Sequence, residues 1–294
     1  MSRPFRFGVN LTVPAPAEEW RDKCRRAEEL GYDVLLVPDH LGMVAPFPAL
    51  VAAAQATERP RLGTFVLNAG FWNPALLARE VATTDALTGG RLELGIGAGY
   101  VRAEHDAAGL PFGSPGERVD RVRHTVRELK RLLESADHQP RPARHRVPLL
   151  IGAGGPRMLE LAAEHADIAA FTGARAVPGS TTGQLVPRTA EELDASVADY
   201  RARAADSAAT ELNLLIQMVL VTEDREAAVR PFAERVPHLT TAQMLELPTL
   251  LAGTVEEIAG QVRAQRERYG FSYLTVLEPY MEAFAPVVRA LRGE

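Results

Sequence analysis

Residues 5–37 of this chain read FRFGVNLTVPAPAEEWRDKCRRAEELGYDVLLV and contain a complete strand–helix–strand unit. Phe5–Asn10 and Val34–Val37 have the β-rich composition of short strands. Between them, Ala17–Leu30 repeats apolar residues at the three- and four-residue spacing of one helix face, and it ends at Gly31. This order predicts a βαβ unit, in which the two strands are parallel.

The same alternation continues along the rest of the chain. We predict six further strands: Arg61–Leu67, Leu92–Ile96, Val147–Ile151, Asp167–Phe171, Leu212–Val221 and Tyr273–Leu277. Further helices are predicted at Pro74, at Val119–Leu133, near Pro156, and after the capping-box pairs Thr189/Glu192 and Thr254/Glu257. Eight strands with intervening helices in 294 residues predict a (β/α)8 TIM barrel. A doubly wound sheet also alternates in this way, but such sheets more often have five to seven strands.

We expect residues 1–294 to form a single domain, because no linker rich in proline, glycine and serine divides the chain. Three connections are longer than usual: Gly99–Gly116, Gly173–Arg188 and Pro237–Gly253. Long loops next to barrel strands are where active sites and their specificity are built.

Composition excludes several classes of protein. With 33 Lys and Arg against 38 Asp and Glu, the net charge of −5 lacks the basic excess of a nucleic-acid binder. The charge-free stretches Leu41–Thr57 and Leu62–Ala78 are broken by proline and asparagine, so we expect no membrane partner. Cys24 is the only cysteine, which excludes an internal disulfide. With no apolar segment at the N-terminus, the expected location is the cytoplasm.

The predicted carboxyl ends of the strands are rich in polar residues and glycine, and in a barrel the chemistry gathers there. These residues are Asn10, Asp39, His40, Asn68, Gly97, Ala98, Gly99, Tyr100, Gly154, Gly155, Thr172, Gln217 and Glu278. His40 stands out because an imidazole can give or take a proton near neutral pH, and Asp39 could orient it. A solvated polar turn at Asp39 and His40 explains the same residues.

Two glycine-rich turns allow either a ligand or close packing. The G-x-G-x-G run from Gly95 to Gly99 lacks the spacing of a dinucleotide fingerprint, but its bare backbone would admit a flat ring or a phosphate. Gly154 and Gly155 precede a predicted helix N-terminus, which favours a phosphate, and Arg157 adds positive charge. A tight turn that needs positive φ would also explain this pair.

Other kinds of active site are not indicated. The sequence has no H-E-x-x-H pattern or carboxylate cluster, so we predict no metal site. It also lacks a G-x-S-x-G nucleophile elbow and a Walker A lysine. Cys24 lies on the apolar face of its helix, where a packed thiol is expected.

Several of these segments resemble the luciferase-like monooxygenase superfamily, most closely its branch that uses the deazaflavin coenzyme F420. The segments are Val37–His40, Leu62–Asn68, Ala82–Asp85, Gly89–Gly99 and Leu150–Gly155. The resemblance implies a (β/α)8 barrel with a flavin-like ring at the strand ends, and often a homodimer. It assigns coenzyme binding to Asp39, His40, Asn68, Ala98, Gly99, Ala103, Gly154, Gly155, Arg157 and Met158. It also implies a non-proline cis peptide in the third strand, near Asn68.

The sequence departs from this pattern where the substrate would bind. Tyr100 stands where sugar-phosphate dehydrogenases of the superfamily have a carboxylate, which leaves Glu104 as the nearby acidic candidate. The resemblance matches Thr172 to a substrate contact, and Arg175 to a phosphate-binding lysine. Trp72 replaces part of a basic pair and makes the pocket more apolar.

The sequence therefore predicts an F420-dependent oxidoreductase that transfers a hydride to or from a small organic substrate. His40, steadied by Asp39, would be the general acid or base, and Tyr100 and Glu104 complete the candidate catalytic set. An FMN-dependent monooxygenase is the first alternative. A binding subunit with a decayed site and a non-redox barrel enzyme acting on phosphorylated metabolites are the others.

Overall fold

The computed structural model describes residues 3–144, 146–205, 209–236 and 239–294. Eight strands form one parallel sheet: β1 (Arg6–Asn10), β2 (Val34–Val37), β3 (Arg61–Thr64, continued by Leu67–Asn68), β4 (Leu92–Gly97), β5 (Leu149–Gly152), β6 (Ile168–Phe171), β7 (Glu211–Ile216) and β8 (Phe271–Leu277). β1 pairs with both β2 and β8, and β3 pairs with β4, so the sheet closes on itself. The predicted (β/α)8 barrel is confirmed.

Helices surround this sheet and begin where local sequence favours them. Over the described residues they are α1 (Ala17–Leu30), α2 (Pro46–Ala56), α3 (Pro74–Leu87), α4 (Arg102–Ala108), α5 (Pro115–Glu134), α6 (Pro156–His165), α7 (Ala190–Arg203), α8 (Arg225–Val229), α9 (Thr241–Leu245), α10 (Val255–Tyr269) and α11 (Met281–Ala290). Both predicted capping boxes are present, at Thr189 and Thr254. Within the described ranges, no helix has the length and apolar composition that crossing a membrane requires.

Alternation along the strands separates two layers of apolar side chains. One layer fills the barrel itself and includes Val34, Leu36, Leu150 and Tyr273. The other lies between the strands and the helices and is much larger. The barrel interior is tightly packed, because a Cβ on Gly8 would come within 3.0 Å of the Tyr273 ring.

Two predicted strands are corrected by the structure. The third is interrupted after Thr64, where the peptide between Phe65 and Val66 is cis, and pairing with β4 resumes at Leu67. The seventh prediction, Leu212–Val221, covers two strands: β7 ends at Ile216, and Met218–Val221 leaves the barrel.

Met218–Val221 pairs with Leu250–Gly253, which the sequence placed in a loop. The backbone N–H groups of Gln217 and Met218 both donate to the Thr249 carbonyl, which directs the chain toward this partner. The loop predicted over Pro237–Gly253 also contains α9. Pro237, the first residue of that loop, lies outside the described residues. The Gly99–Gly116 loop contains α4, and the Gly173–Arg188 loop forms a hairpin of Ala174–Ala176 and Leu185–Pro187.

Candidate active site

His40 and Glu104 meet at the carboxyl rim of the barrel. His40 follows β2 and Glu104 lies in the first turn of α4, and His40 Nδ1 is 2.8 Å from Glu104 Oε1. Both side chains are only partly exposed, at 26% and 16%. The Tyr100 ring lies edge-on to the imidazole, with centroids 5.7 Å apart. The three predicted catalytic residues therefore form one cluster.

Asp39, which the sequence suggested could orient His40, forms no hydrogen bond to it among the described residues. Its Oδ2 instead accepts hydrogen bonds from the Asn68 backbone N–H at 3.1 Å and from Trp72 Nε1 at 2.9 Å. Burial raises the pKa of Asp39, although these two hydrogen bonds act against that rise. The hydrogen-bond partner of His40 is Glu104, because α4 crosses the rim in a segment that the sequence assigned to a loop.

The Asn68 side chain is engaged by the protein itself. Its Oδ1 accepts the Gly70 backbone N–H at 2.9 Å, and its Nδ2 lies 2.9 Å from His105 Nε2. His105 is fully buried and was missed by the sequence analysis. A helix prediction for Arg102–Ala108, ending at Gly109, would have placed His105 on the same short helix as Glu104 and made it a candidate residue of this site.

The glycines of β4 are required by packing within the protein. A Cβ on Gly95 would overlap the Thr64 carbonyl, and one on Gly97 would lie 2.7 Å from Val66. Gly99 has φ +67°, and a Cβ there would overlap the Asn68 side chain. Close packing on β3 therefore accounts for this motif. Of the neighbouring predicted coenzyme contacts, Ala98 is half-buried and Ala103 is exposed.

Gly154 and Gly155 have the opposite surroundings. Neither has positive φ, and a Cβ on either would meet no atom of the described residues within 4 Å. The pair precedes Pro156, the first residue of α6, and neither backbone N–H has a protein acceptor among the described residues. A tight turn requiring positive φ does not explain these glycines, whereas space for a ligand at a helix N-terminus does.

The other two residues predicted at this turn are engaged elsewhere. The Arg157 guanidinium pairs with Asp120 of α5, which offsets the positive charge it was expected to add. The Met158 side chain packs in the core, and its N–H donates to the Gly155 carbonyl at 2.9 Å.

The predicted substrate residues lie around the hairpin and the end of β3. Thr172 Oγ1 donates to the Ala174 carbonyl at 3.1 Å and closes a local turn. Arg175 is exposed on the first strand of the hairpin. Trp72 packs edge-on against Phe47, with ring centroids 5.3 Å apart.

The hairpin connects the separate parts of the rim. The Ala103 N–H donates to the Thr181 carbonyl at 2.9 Å, and Gly183 packs so closely on Tyr100 that a Cβ would lie 2.8 Å from the ring. Arg188 reaches back to the Gly154 carbonyl at 3.1 Å. The hairpin segment thus contacts Tyr100, α4 and the glycine turn that follows β5.

Metal-binding groups and cavities are two further features that could indicate a site among the described residues. Across the described residues, no group of three or more His, Cys, Asp or Glu side chains is arranged to hold a metal ion. A cavity of about 160 Å³ lies between α7, α9 and α10, and it is lined by Leu245, Leu247, Gln265 and Tyr269. None of the rim residues described above lines this cavity.

Known proteins that are similar to this chain include F420-dependent dehydrogenases. An F420-dependent glucose-6-phosphate dehydrogenase from Intrasporangium calvum is 35% identical over 171 residues, which cover 50% of this chain and 51% of that protein. The chain thus matches only about half the length of that relative. A protein of the same name from Nakamurella multipartita is 31% identical over 252 residues, covering 77% and 71%. An F420-dependent secondary alcohol dehydrogenase, solved in complex with an F420-acetone adduct, superposes with a TM-score of 0.78 at 19% identity, covering 99% and 100%.

The family comparison covers most of the molecule. The model described as luciferase-like monooxygenase matches residues 1–273, from the residues before β1 into β8. That span includes His40, Glu104 and both glycine turns. The chain belongs to the luciferase-like monooxygenase family.

Proposed function

We propose that this chain binds the deazaflavin coenzyme F420 at the carboxyl rim and catalyses hydride transfer between it and a small organic substrate. The observation that carries the choice of coenzyme is the 31% identity over 252 residues to an F420-dependent dehydrogenase. When bound, the coenzyme supplies the hydride chemistry, and the protein supplies orientation and proton transfer.

The glycine turn before α6 fits the coenzyme phosphate. Gly154 and Gly155 leave open space that a Cβ would enter, and their own backbone N–H groups have no acceptor among the described residues. Both glycines lie at the positive end of the α6 helix dipole. Arg157 is near, although its charge is shared with Asp120. These residues would hold the phosphate mainly through the backbone.

Asn10 fits a hydrogen-bonding edge of the ring. It ends β1 on the same face as Gly8, which points into the barrel, and it is only 5% exposed. Its Oδ1 is buried without a hydrogen-bond partner in the described part of the chain. A buried acceptor left unpaired costs free energy, so a ligand N–H at this position is a physical reason for keeping it.

His40 and Glu104 would transfer the proton that accompanies the hydride. Glu104 accepts the Nδ1 hydrogen of His40, which leaves Nε2 with its lone pair in the neutral imidazole. Nε2 would take the proton of a substrate hydroxyl during oxidation and return it during reduction. Burial, followed by the nearby charge of Glu104, raises the pKa of Tyr100, which keeps its hydroxyl protonated as a hydrogen-bond donor.

The substrate pocket combines an apolar wall with one exposed cation. Trp72 supplies apolar surface, and Thr172 and the exposed Arg175 border the hairpin. Tyr100 replaces the carboxylate expected for a sugar-phosphate substrate, while Arg175 would accommodate an anionic group. We therefore propose a small organic substrate, and not a sugar phosphate.

Anaerobic titration of the protein with F420 and with FMN tests the proposal. We expect saturable binding of F420 and none of FMN at the same concentrations. Tight binding of FMN alone would overturn the choice of coenzyme in favour of a flavin monooxygenase. Binding of neither, together with turnover of phosphate esters, would replace the proposal with a non-redox barrel enzyme.

Four further properties are proposed for this chain from its sequence. These are a homodimer, a cytoplasmic location, a single domain over residues 1–294 and the absence of a bound metal. Sedimentation analysis of the purified chain would test the first of them.

A further inference from the structure

His105 lies in a closely packed space between two aromatic rings. It is fully buried, and its ring lies 5.0 Å from the Phe71 ring and 5.1 Å from the Phe112 ring, between centroids. A Cβ on Gly70 would overlap the His105 ring, so the absence of a side chain there makes the space available. Packing alone would accept an apolar side chain in this place.

The hydrogen bonds of His105 give it one tautomer. Asn68 Oδ1 accepts the Gly70 N–H, so the group that faces His105 is the amide nitrogen, a donor. His105 Nε2 must then be the acceptor of this 2.9 Å hydrogen bond. Its proton is on Nδ1, which donates to the Pro111 carbonyl at 3.2 Å.

Glu104 and His105 are neighbours on α4 but contact different strand ends. Glu104 holds Nδ1 of His40, which follows β2, whereas His105 holds the side chain of Asn68, which ends β3. α4 is a short helix of seven residues that follows a glycine-rich turn. The two contacts together orient α4 relative to the rim.

We propose that His105 is a positioning residue, which docks α4 on the end of β3 through Asn68 and thereby holds Glu104 against His40. This inference deepens the proposed function, since it rests on His40 as the proton-transferring group. His105 touches neither substrate nor coenzyme in this assignment. It acts only through Asn68 and through the placement of α4.

The electrostatic surroundings of His105 agree with a neutral acceptor. Burial lowers its pKa, and the hydrogen bond to the Pro111 carbonyl acts against this. The positive charges of Arg121 and Arg118 on α5 lower the pKa further, whereas Glu104 raises it, and the net direction is downward. A protonated ring would turn its Nε2–H toward the Asn68 amide donor and lose this hydrogen bond.

Histidine-selective ¹H–¹⁵N NMR on the ligand-free protein tests the inference without coenzyme. The spectra are recorded at about pH 8.5, above the ordinary histidine pKa of about 6.5. The signal of His40, assigned by its loss in His40→Asn, should show the Nδ1-protonated tautomer. His105→Gln, which can both accept from Asn68 and donate to Pro111, should keep this tautomer. His105→Leu should produce a mixture of both tautomers.

Controls separate positioning from general damage. His124→Gln removes an exposed histidine of α5 and should leave the His40 signal unchanged. If His105→Leu does not fold, Asn68→Ala breaks the same hydrogen bond from the other side and should give the same tautomer mixture. A folded His105→Leu or Asn68→Ala protein in which His40 keeps the Nδ1-protonated tautomer would overturn the inference.

Kinetics give a second readout if F420 binds. Glu104→Ala and His105→Leu should each lower turnover about tenfold, and the double variant should be no slower than Glu104→Ala alone, because both substitutions remove the same contact between Glu104 and His40. Independent losses that multiply to about a hundredfold would overturn the inference. Failure of F420 to bind would overturn only the proposed function, because the NMR result does not depend on the coenzyme.

Discussion

The two ends of the barrel use polar side chains in opposite ways. At the amino end, Arg6 donates to Glu93 and to Glu211 at 2.6 Å each, and its guanidinium lies 4.7 Å from the centre of the Tyr273 ring. Arg61 joins the same network through Glu93. The charged groups at this end are paired with one another, and the network closes the barrel here.

At the carboxyl end, polar groups keep unused bonding capacity. His40 contacts Glu104 through Nδ1, while no described residue hydrogen-bonds to its Nε2. Asn10 Oδ1 and the N–H groups of Gly154 and Gly155 likewise have no protein partner among the described residues. Groups of this kind are available to a ligand.

An unpaired atom alone does not distinguish the two ends. Glu93 Oε2 and the Tyr273 hydroxyl also lack a hydrogen-bond partner within the described part of the chain, but these residues are 2% and 0% exposed. Buried Leu36 and Leu150 occupy the barrel interior. Unpaired polar atoms therefore indicate a site when they lie at the rim, where a ligand can arrive.

The largest effect is expected at the carboxyl end. His40→Ala should lower turnover by roughly 10²–10⁴-fold, because it removes the proton-transferring group. It should change the F420 dissociation constant only a few-fold. Steady-state rates and coenzyme titration measure the two quantities. Unchanged turnover would remove His40 from the mechanism.

A change at the amino end should reduce stability and leave the site intact. Arg6→Met removes the positive charge that pairs with the buried carboxylates of Glu93 and Glu211. We therefore expect the free energy of unfolding to fall by about 3 kcal/mol. The exposed pair of Arg25 and Asp22 supplies a control, since Arg25→Met should cost less than about 1 kcal/mol. Denaturant titration measures both variants, and lost F420 affinity in folded Arg6→Met would contradict the division between the ends.

A substitution in the glycine turn before α6 should weaken F420 binding and leave stability unchanged. Gly155→Ala places a methyl group where no protein atom lies within 4 Å, so stability should be unchanged, while F420 affinity should fall about tenfold. Gly260→Ala, on α10 and equally free of contacts, should leave affinity unchanged. Equal F420 affinities in the two variants, measured by titration, would exclude the turn as the phosphate site.

Substitution of Asn10 should raise stability and weaken F420 binding, both by small amounts. Asn10→Leu removes a buried acceptor that has no protein partner, so we expect the free energy of unfolding to rise by about 1 kcal/mol. F420 affinity should fall a few-fold. A variant that is destabilised and binds F420 normally would show that Asn10 serves the fold and not the site.

The smallest effect concerns pH. Because burial lowers the pKa of His105, the folded protein binds this proton more weakly than the unfolded chain does. The stability that His105 contributes is present above about pH 6.5 and is lost as pH falls through the lower folded pKa. The difference in unfolding free energy between the wild type and His105→Gln should therefore shrink below about pH 6.5. A difference that stays constant with pH would contradict a buried neutral His105.

Much of the fold could be predicted because strand and helix periodicity are local. β2 has the predicted bounds, and the capping boxes at Thr189 and Thr254 open the expected helices. The strand predicted over Leu212–Val221 was wrong in its second half. A run of apolar residues does not reveal that Met218–Val221 pairs with Leu250–Gly253.

Sequence alone determined the barrel and the rim on which the candidate residues lie, since parallel strands bring their carboxyl ends to one side. The contacts that each residue makes there form only in the folded barrel. The glycines of β4 and those before α6 look alike in sequence, yet the first are enclosed by β3 and the second face open space. His40 and Glu104 are 64 residues apart, and Asp39 was the nearer candidate. The physical reason is that a glycine's neighbours and a histidine's partner come from distant segments, whose placement depends on how the whole barrel closes.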